Sequence, residues 1–249
     1  MKFAIIAAGE GSRLVNEGVD TPKPLVRISG EPMIDRLIRI FAINGASSVS
    51  IIINNEMREV YEHVSKTKAA IPLNIIRRST PSSMHSFHEL SHTLGNERFC
   101  LTTVDTIFRE NEFAEFINTF RKIETDNNDG DDSISPGIDG LMAVTGFIDD
   151  EKPLYVETDN NMMIKGFHDE SHPGAGYISG GIYCLVNNSL PILNAAIESG
   201  VSRMRNYQRL LVERGLLLKA YPFTKIIDVD HQEDIFKAEL FLSETQKTE

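Results

Sequence analysis

Five short apolar runs rich in β-branched residues recur through the first 145 residues, and their spacing restricts the fold more than any other feature. They are Phe3–Ala8, Val49–Asn54, Leu73–Arg77, Phe99–Val104 and Leu141–Thr145. Between them, Met33, Ile34, Leu37, Ile38 and Phe41 fall on one helical face, and weaker helical patterns cover Met57–Ser65, Ser83–Leu94 and Phe113–Lys122. Strands alternating with helices predict βαβ units and a mostly parallel sheet, the α/β class. After Gly146 the rhythm changes. Leu154–Glu157, Met162–Phe167 and Tyr177–Leu185 read as strands joined by turns, which predicts a smaller antiparallel subregion. Helical patterns return at Leu190–Glu198, Arg205–Arg214 and Gln232–Leu242. A chain of 249 residues can bury its core as one α/β domain, residues 1–249.

Bulk properties narrow the partners. The formal charge of −11, from 25 basic and 36 acidic side chains, argues against non-specific binding to nucleic acid or an anionic membrane. Small anionic substrates remain compatible, because a local Arg/Lys cluster can dominate inside a cleft. Cys100 and Cys184 sit in apolar runs and read as buried thiols in a reducing compartment. The first apolar run is too short for a signal-peptide core, and no stretch approaches a membrane span. A cytoplasmic location is the expectation, and a homo-oligomer is compatible with everything in the chain. Asp126–Asp132 carries many carboxylates but no EF-hand, since Thr125 and Pro136 stand where that loop needs acids, so it reads as a solvated loop.

The first strand opens into Gly9-Glu10-Gly11-Ser12-Arg13-Leu14, with Pro22-Lys23-Pro24-Leu25 close behind. Glycines let backbone N–H groups approach phosphate oxygens, and Arg13 and Lys23 can carry charge that develops on leaving phosphates. The pattern suits a triphosphate. A dinucleotide site wants a third glycine where Leu14 stands, and no helix clearly follows the turn; a P-loop needs a Gly-Lys-Ser/Thr that is missing. A plain structural turn is the bland alternative.

Gly-x-Gly-Ser-Arg-Leu, then Pro-Lys-Pro-Leu, then Gly30-Glu31-Pro32-Met33-Ile34, resembles the sugar-nucleotidyltransferase (nucleoside-diphosphate-sugar pyrophosphorylase) superfamily. The likeness is densest over Ile5–Leu37 and looser beyond. It implies a Rossmann-like three-layer α/β/α fold with a mixed central sheet. Residues 1–145 would bind nucleotide, and residues 146–249 would shape the acceptor pocket and supply a second metal aspartate. It also implies a Mg²⁺-dependent enzyme that joins a nucleoside triphosphate to a small phosphorylated acceptor, foremost a sugar 1-phosphate, and releases pyrophosphate. Two other readings stay open: a cytidylyltransferase acting on a non-sugar phosphorylated alcohol or phosphonate, and a nucleotide-binding module without turnover.

In such a transfer every reactant is anionic, so positioning and charge neutralisation carry the catalysis. Arg13 would grip the β- and γ-phosphates, and Lys23 would offset charge at the α-phosphorus. Mg²⁺ takes one or two carboxylates from a protein. Asp105 follows the strand Phe99–Val104, and ligands gather at the carboxyl ends of strands in open α/β sheets; a capping role for Asp105 is the alternative. Val104 stands where the family commonly has glycine. If Ile226–Asp230 is extended, Asp228 and Asp230 point the same way. The resemblance makes Asp228 a metal ligand, while Asp230 is a ligand or, with Glu233, a helix capping box.

For the nucleotide, the family's pattern points to Ala7, Ala8, Gly9, Glu10, Gly11, Ser12, Ser82 and Ser83, although Ser82 or Ser83 can equally be an N-cap. On the acceptor side Ser179-Gly180-Gly181-Ile182-Tyr183 resembles the family's Asn-Ala-Gly-Ile-Tyr, with bulge-forming glycines as the alternative. The family's Glu-Lys-Pro is replaced by His168-Asp169-Glu170-Ser171, an acid in the lysine's place. Lys165 substitutes only if its side chain faces the pocket. The seven histidines show no metal signature, and His85, His88 and His92 read as helix-surface residues.

Overall fold

The computed structural model describes residues 1–126, 137–149 and 151–244, with residues 124–126 described by backbone alone. Residues 127–136, which hold most of the acidic loop considered above, lie outside them. So do residues 245–249.

β1 (Lys2–Ala7) leads through the glycine turn into a single-turn helix, α1 (Ser12–Asn16). A 3₁₀ turn at Lys23–Leu25 and the short pair β2 (Arg27–Ile28) and β3 (Glu31–Pro32) follow. Next come α2 (Met33–Ile43), β4 (Val49–Ile53), α3 (Arg58–Lys66), β5 (Leu73–Arg77), α4 (Ser83–Leu94) and β6 (Phe99–Thr103). β7 (Thr106–Ile107), α5 (Glu110–Asp126) and β8 (Gly140–Thr145) lead to a hairpin, β9 (Tyr155–Thr158) and β10 (Ile164–His168). The described chain ends with β11 (Tyr177–Leu185), α6 (Ser189–Glu198), α7 (Met204–Glu213), β12 (Leu218–Phe223), β13 (Ile227–Asp228) and α8 (Gln232–Ser243).

β5, β4, β1 and β6 form the parallel part of a nine-stranded sheet, with β11 antiparallel beside β6. β8 pairs antiparallel with β11, and β12 pairs parallel with β8. The β9–β10 hairpin joins the start of β11 and supplies the expected antiparallel subregion. Period-2 alternation distributes β1 between two cores. Phe3, Ile5 and Ala7 pack with α2, α5 and α8 on one face, while Ala4 and Ile6 pack with α4, α6 and α7 on the other. The result is the three-layer α/β/α arrangement. No described helix is long and apolar enough to cross a membrane.

Three local outcomes differ from the sequence reading. A helix does follow the glycine turn, because Gly11 takes a left-handed φ of +63° that folds Ser12–Asn16 into one turn. β12 is a strand that the sequence reading leaves out, because Pro222 interrupts its pattern; as an edge strand it tolerates a residue that cannot donate to a ladder. Of the extended Ile226–Asp230, only Ile227–Asp228 is paired, antiparallel to β7.

Register then places the site. Ile6 aligns with Thr103 and Ala7 with Ile53, so β1, β4 and β6 end at one level. The glycine turn, Asn54 and Asp105 therefore emerge at the same edge, the carboxyl edge where an open α/β sheet binds ligands. β7–β13 pairing, with the Val229 amide donating to the Asp105 carbonyl at 3.1 Å, brings the late aspartates beside Asp105.

Candidate active site

The turn after β1 is tied down from two sides. A Cβ on Gly11 would stand 2.9 Å from the Cβ of Lys23, closer than side chains pack, so Gly11 is needed for both its φ and its contact. Glu17, at the end of α1, accepts from the Gln232 amide at 2.7 Å and meets His231 Nδ1 at 2.6 Å. That backbone hydrogen bond, then His231, holds the Glu17 carboxyl below its ordinary value, and Glu17 in turn holds His231 above its own. α1 is thereby fastened to the start of α8.

This fastening brings the two cations onto the aspartates. Lys23, nearly buried, places Nζ 2.5 Å from Asp105 Oδ2 and 2.6 Å from Asp230 Oδ1. Arg13 donates from Nη1 to Asp230 Oδ2 at 2.6 Å. Burial works against the Lys23 charge, but the two carboxylates outweigh it and raise its pKa. Burial likewise works against the Asp105 charge, and Lys23 overcomes it, with help from Thr103, so the carboxyl titrates below its usual range.

The capping-box expectation for Asp230 and Glu233 needs correcting. The α8 cap is His231, which exchanges side-chain and backbone bonds with Asp234. Asp234 also accepts from the Asp230 amide at 3.1 Å. The side chain of Asp230 is thus spared for Lys23 and Arg13.

Two adjoining cavities open at this edge. One, of about 630 Å³, is lined by Ala8, Gly9, Glu10, Gly11, Ser12, Arg13, Lys23, Ser82, Ser83, Asp105 and Asp230. The other, of about 900 Å³, is lined by Arg13, Ser179, Gly180, Asp228 and Asp230 among others. Arg13 and Asp230 belong to both and mark the seam. Val229 is buried between Asp228 and Asp230, consistent with both carboxylates lying on the open side of that strand.

Three of the residues singled out from sequence are placed elsewhere. Ala7 is fully buried in the core and lines neither cavity. Lys165 lines neither cavity: the β10 register shifts after Ile164, Lys165 faces outward, and its amine pairs with Asp159 at 2.9 Å. Gly181 lines neither cavity and serves the β11 bulge, where φ is +71° and Ser179–Tyr183 spans the same length of β8 as Val144–Met142. Gly180 shares that bulge, since a Cβ there would strike Ile226 Cδ1 at 2.2 Å, yet it also lines the larger cavity.

Other residues come to the site without a sequence signal that singled them out. Asn54 lines the smaller cavity, donates to the Ala8 carbonyl at 3.4 Å and accepts from Ser79 Oγ at 2.7 Å. Its position at the end of a parallel strand is the same cue that marks Asp105. Ser82, by contrast, was singled out from sequence, and it is both the N-cap of α4 and a cavity residue. Buried Gln208 on α7 accepts from Ser179 Oγ at 2.9 Å and donates to the Tyr183 hydroxyl at 3.3 Å, which fixes the floor of the larger cavity. Burial pushes that hydroxyl up to about 12.

Residues 3–140 match the MobA-like NTP transferase domain, more than half of the chain. The chain belongs to that family. This NTP transferase domain is 22% identical over 242 residues to the bifunctional protein GlmU of Methanococcus maripaludis (strain C5), covering 96% of the chain and 53% of that protein. It therefore spans about half the length of this curated relative. Among solved structures, the inositol-1-phosphate CTP transferase from T. maritima superposes with a TM-score of 0.77 at 16% identity, covering 99% of this chain and 96% of that one. A UDP-glucose pyrophosphorylase complexed with UDP-glucose gives 0.77 at 15%, covering 98% of each. These likenesses carry the fold.

Asp105 and Asp230 offer the donors that a divalent cation takes, while Asp228 lines only the larger cavity and Asp105 only the smaller. An ammonium already sits between two carboxylates there, with oxygens of Asp105 and Asp230 each within 2.6 Å of it. Carboxylate oxygens are the donors that Mg²⁺ selects.

Proposed function

We propose that this NTP transferase domain carries out Mg²⁺-dependent nucleotidyl transfer from a nucleoside triphosphate to a small phosphorylated acceptor, a sugar 1-phosphate in the first instance. The supporting observation is the pair of cavities that meet at Arg13 and Asp230, with Lys23 beside them. Residues 1–145 hold the nucleotide, and residues 146–249 hold the acceptor and supply Asp228 and Asp230.

In this reading the turn Gly9–Ser12 receives the polyphosphate through backbone N–H groups, and Arg13 grips its outer phosphates. An acceptor phosphate oxygen forms a bond to the α-phosphorus while the bond to the bridging oxygen breaks, and pyrophosphate leaves in line. Lys23, aimed at the seam from a nearly buried position, compensates charge at the α-phosphorus. Asp105, Asp228 and Asp230 would hold Mg²⁺, which when bound supplies charge neutralisation to the phosphates. Ser82 and Ser83, with Ala8, border the space for the base.

One observation favours a second acceptor class. In the larger cavity Glu17, Asp149, Glu151 and Glu233 are paired with Arg13, His231 and Lys237 of the same lining, and neither Lys165 nor Glu170 lines it. A wall without the lysine of the sugar enzymes leaves room for a phosphorylated alcohol or phosphonate as acceptor. The inositol-1-phosphate CTP transferase provides a fold relative outside the sugar enzymes.

Pyrophosphate release over a matrix of NTPs and acceptors (glucose 1-phosphate, inositol 1-phosphate, phosphocholine, 2-aminoethylphosphonate) with Mg²⁺ tests both readings. Turnover with one pair is expected. Asp105→Asn should retain the fold by circular dichroism and lose more than the roughly 10–100-fold that loss of an outer-sphere partner costs. Silence across the matrix, or near-normal release by Asp105→Asn, refutes the proposal.

A further inference from the structure

Away from both cavities, the β9–β10 hairpin and the loop after it gather Glu157, His168 and His172. One ligand atom from each lies within 4.8 Å of the other two. Register explains the gathering. Glu157 pairs with Gly166, and His168 lies two residues on, so all three positions share one face of the hairpin. Gly166 leaves that face open: a Cβ there would stand 2.9 Å from His168 Nε2 and 3.5 Å from Glu157 Oε2. The imidazole of His168 reaches across the gap to place Nε2 3.0 Å from Glu157 Oε2.

His172 completes the group from the loop. Its Nδ1 lies 2.8 Å from the Pro173 carbonyl, which only accepts, so Nδ1 carries a hydrogen and donates it. In the neutral ring Nε2 then presents a lone pair. That atom is sealed from solvent and has no hydrogen-bond partner. Glu157 Oε2, another acceptor, lies 3.9 Å from it. Two acceptors at this separation leave a place for a cation that both can bind. The backbone bond at Nδ1 is the outer-sphere support by which proteins orient a metal-ligating histidine.

We propose that Glu157 Oε2, His168 Nε2 and His172 Nε2 form a binding site for a divalent transition metal of the zinc class. Two imidazoles and one carboxylate are a zinc donor set with a fourth position open, whereas Mg²⁺ selects oxygen throughout. At zinc–ligand distances of about 2.0–2.2 Å, tetrahedral donors stand roughly 3.3 Å apart. The separations of 3.0 and 3.9 Å from Glu157 bracket that value, and the third pair lies within 4.8 Å. Binding replaces the proton that His168 shares with Glu157 and pins the loop 169–176 to the hairpin. That loop feeds β11, which carries Ser179 and Gly180, so the ion would steady the acceptor side of the protein from outside it. In sequence the only trace is His-x-x-x-His at 168 and 172; the carboxylate comes from another strand.

The test uses the full chain without a histidine tag, freed of metal and titrated with Zn²⁺ in excess Mg²⁺, which fills the aspartate site. Calorimetry should show one Zn²⁺ per chain, and Co²⁺ in its place should develop the visible bands of a tetrahedral N/O site. His172→Ala should weaken Zn²⁺ by more than about 10–100-fold, the loss typical of an outer-sphere partner. Gly166→Ala keeps all three ligands and fills the space between them, so it should weaken Zn²⁺ too while circular dichroism stays unchanged. Zn²⁺ should raise the thermal midpoint of the wild type and of neither variant. No saturable uptake by the wild type, or uptake that both variants retain in full, overturns the proposal.

Discussion

The two glycines of the turn after β1 should respond differently to the same added methyl group. Gly11 has φ of +63°, where an L residue costs roughly 1–2 kcal/mol, and alanine recovers roughly 0.4–1 of that through a less flexible unfolded chain. Its Cβ would also lie 2.9 Å from Lys23 Cβ, and such overpacking costs typically about 1–3 kcal/mol. Gly11→Ala should therefore destabilise the protein by about 2–3 kcal/mol, a fall of roughly 4–12 °C in Tm for a chain of this size. Because Lys23 must give way, its amine leaves its bridging place between Asp105 and Asp230, and a displacement near 1 Å can cost roughly 100-fold in turnover. Gly9 has no positive φ, and nothing lies within 4 Å of a Cβ built on it. Gly9→Ala should keep Tm within about 2 °C. Its methyl enters the space assigned to the polyphosphate, so the NTP KM should rise by roughly tenfold or more. Thermal melts and pyrophosphate release on the two variants decide the matter. Equal Tm values for Gly9→Ala and Gly11→Ala, or an unchanged Tm for Gly11→Ala, would refute the reasoning.

Lys23→Met removes the cation between Asp105 and Asp230. Stability in metal-free buffer should fall by about 3–5 kcal/mol, as when one partner of a buried pair is lost, and Mg²⁺ should restore more of it than it adds to the wild type in urea titrations. Asn54→Ala frees the Ala8 carbonyl and Ser79, so NTP KM should rise in steady-state kinetics while acceptor KM holds. Outside both cavities, Arg39 bonds to Glu110 and holds its carboxyl low; burial opposes this, and Arg36 adds to it. A depressed carboxyl contributes stability above its unfolded value and loses it as pH falls through the folded one. Glu110→Gln should thus be less stable than the wild type at pH 7 by about 1 kcal/mol, the screened size for a half-exposed pair, and the gap should close toward pH 3 in urea melts.

Much of the fold was legible along the chain. The limits of β5, α4 and β11 coincide with those read from the sequence, because each packs at least one apolar face against a core, fully for α4 and β11 and partly for β5. The glycine turn was legible for a similar reason: positive φ and close approach are demands that only glycine meets locally. β12 was hidden, since Pro222 breaks a strand pattern unless the strand lies at an edge, and position in a sheet is a tertiary property. Glu17 carried no cue of its own, because it acts on a backbone group supplied by a distant segment, whereas Asn54 shared with Asp105 the cue of a strand end.

What the sequence determined by itself is the set of elements, the chemistry of the turn after β1 and the residue types able to hold phosphate and metal. Only the tertiary structure decided which of those residues meet. It joined Lys23 to Asp105 and Asp230, turned Lys165 outward onto Asp159, and set His168 and His172 against Glu157. The physical reason is one of range. Helix and strand propensities, caps and φ demands act over a few residues, whereas a side chain's partner depends on strand register, and a bulge such as those after Ile164 and Ser179 redirects every side chain that follows.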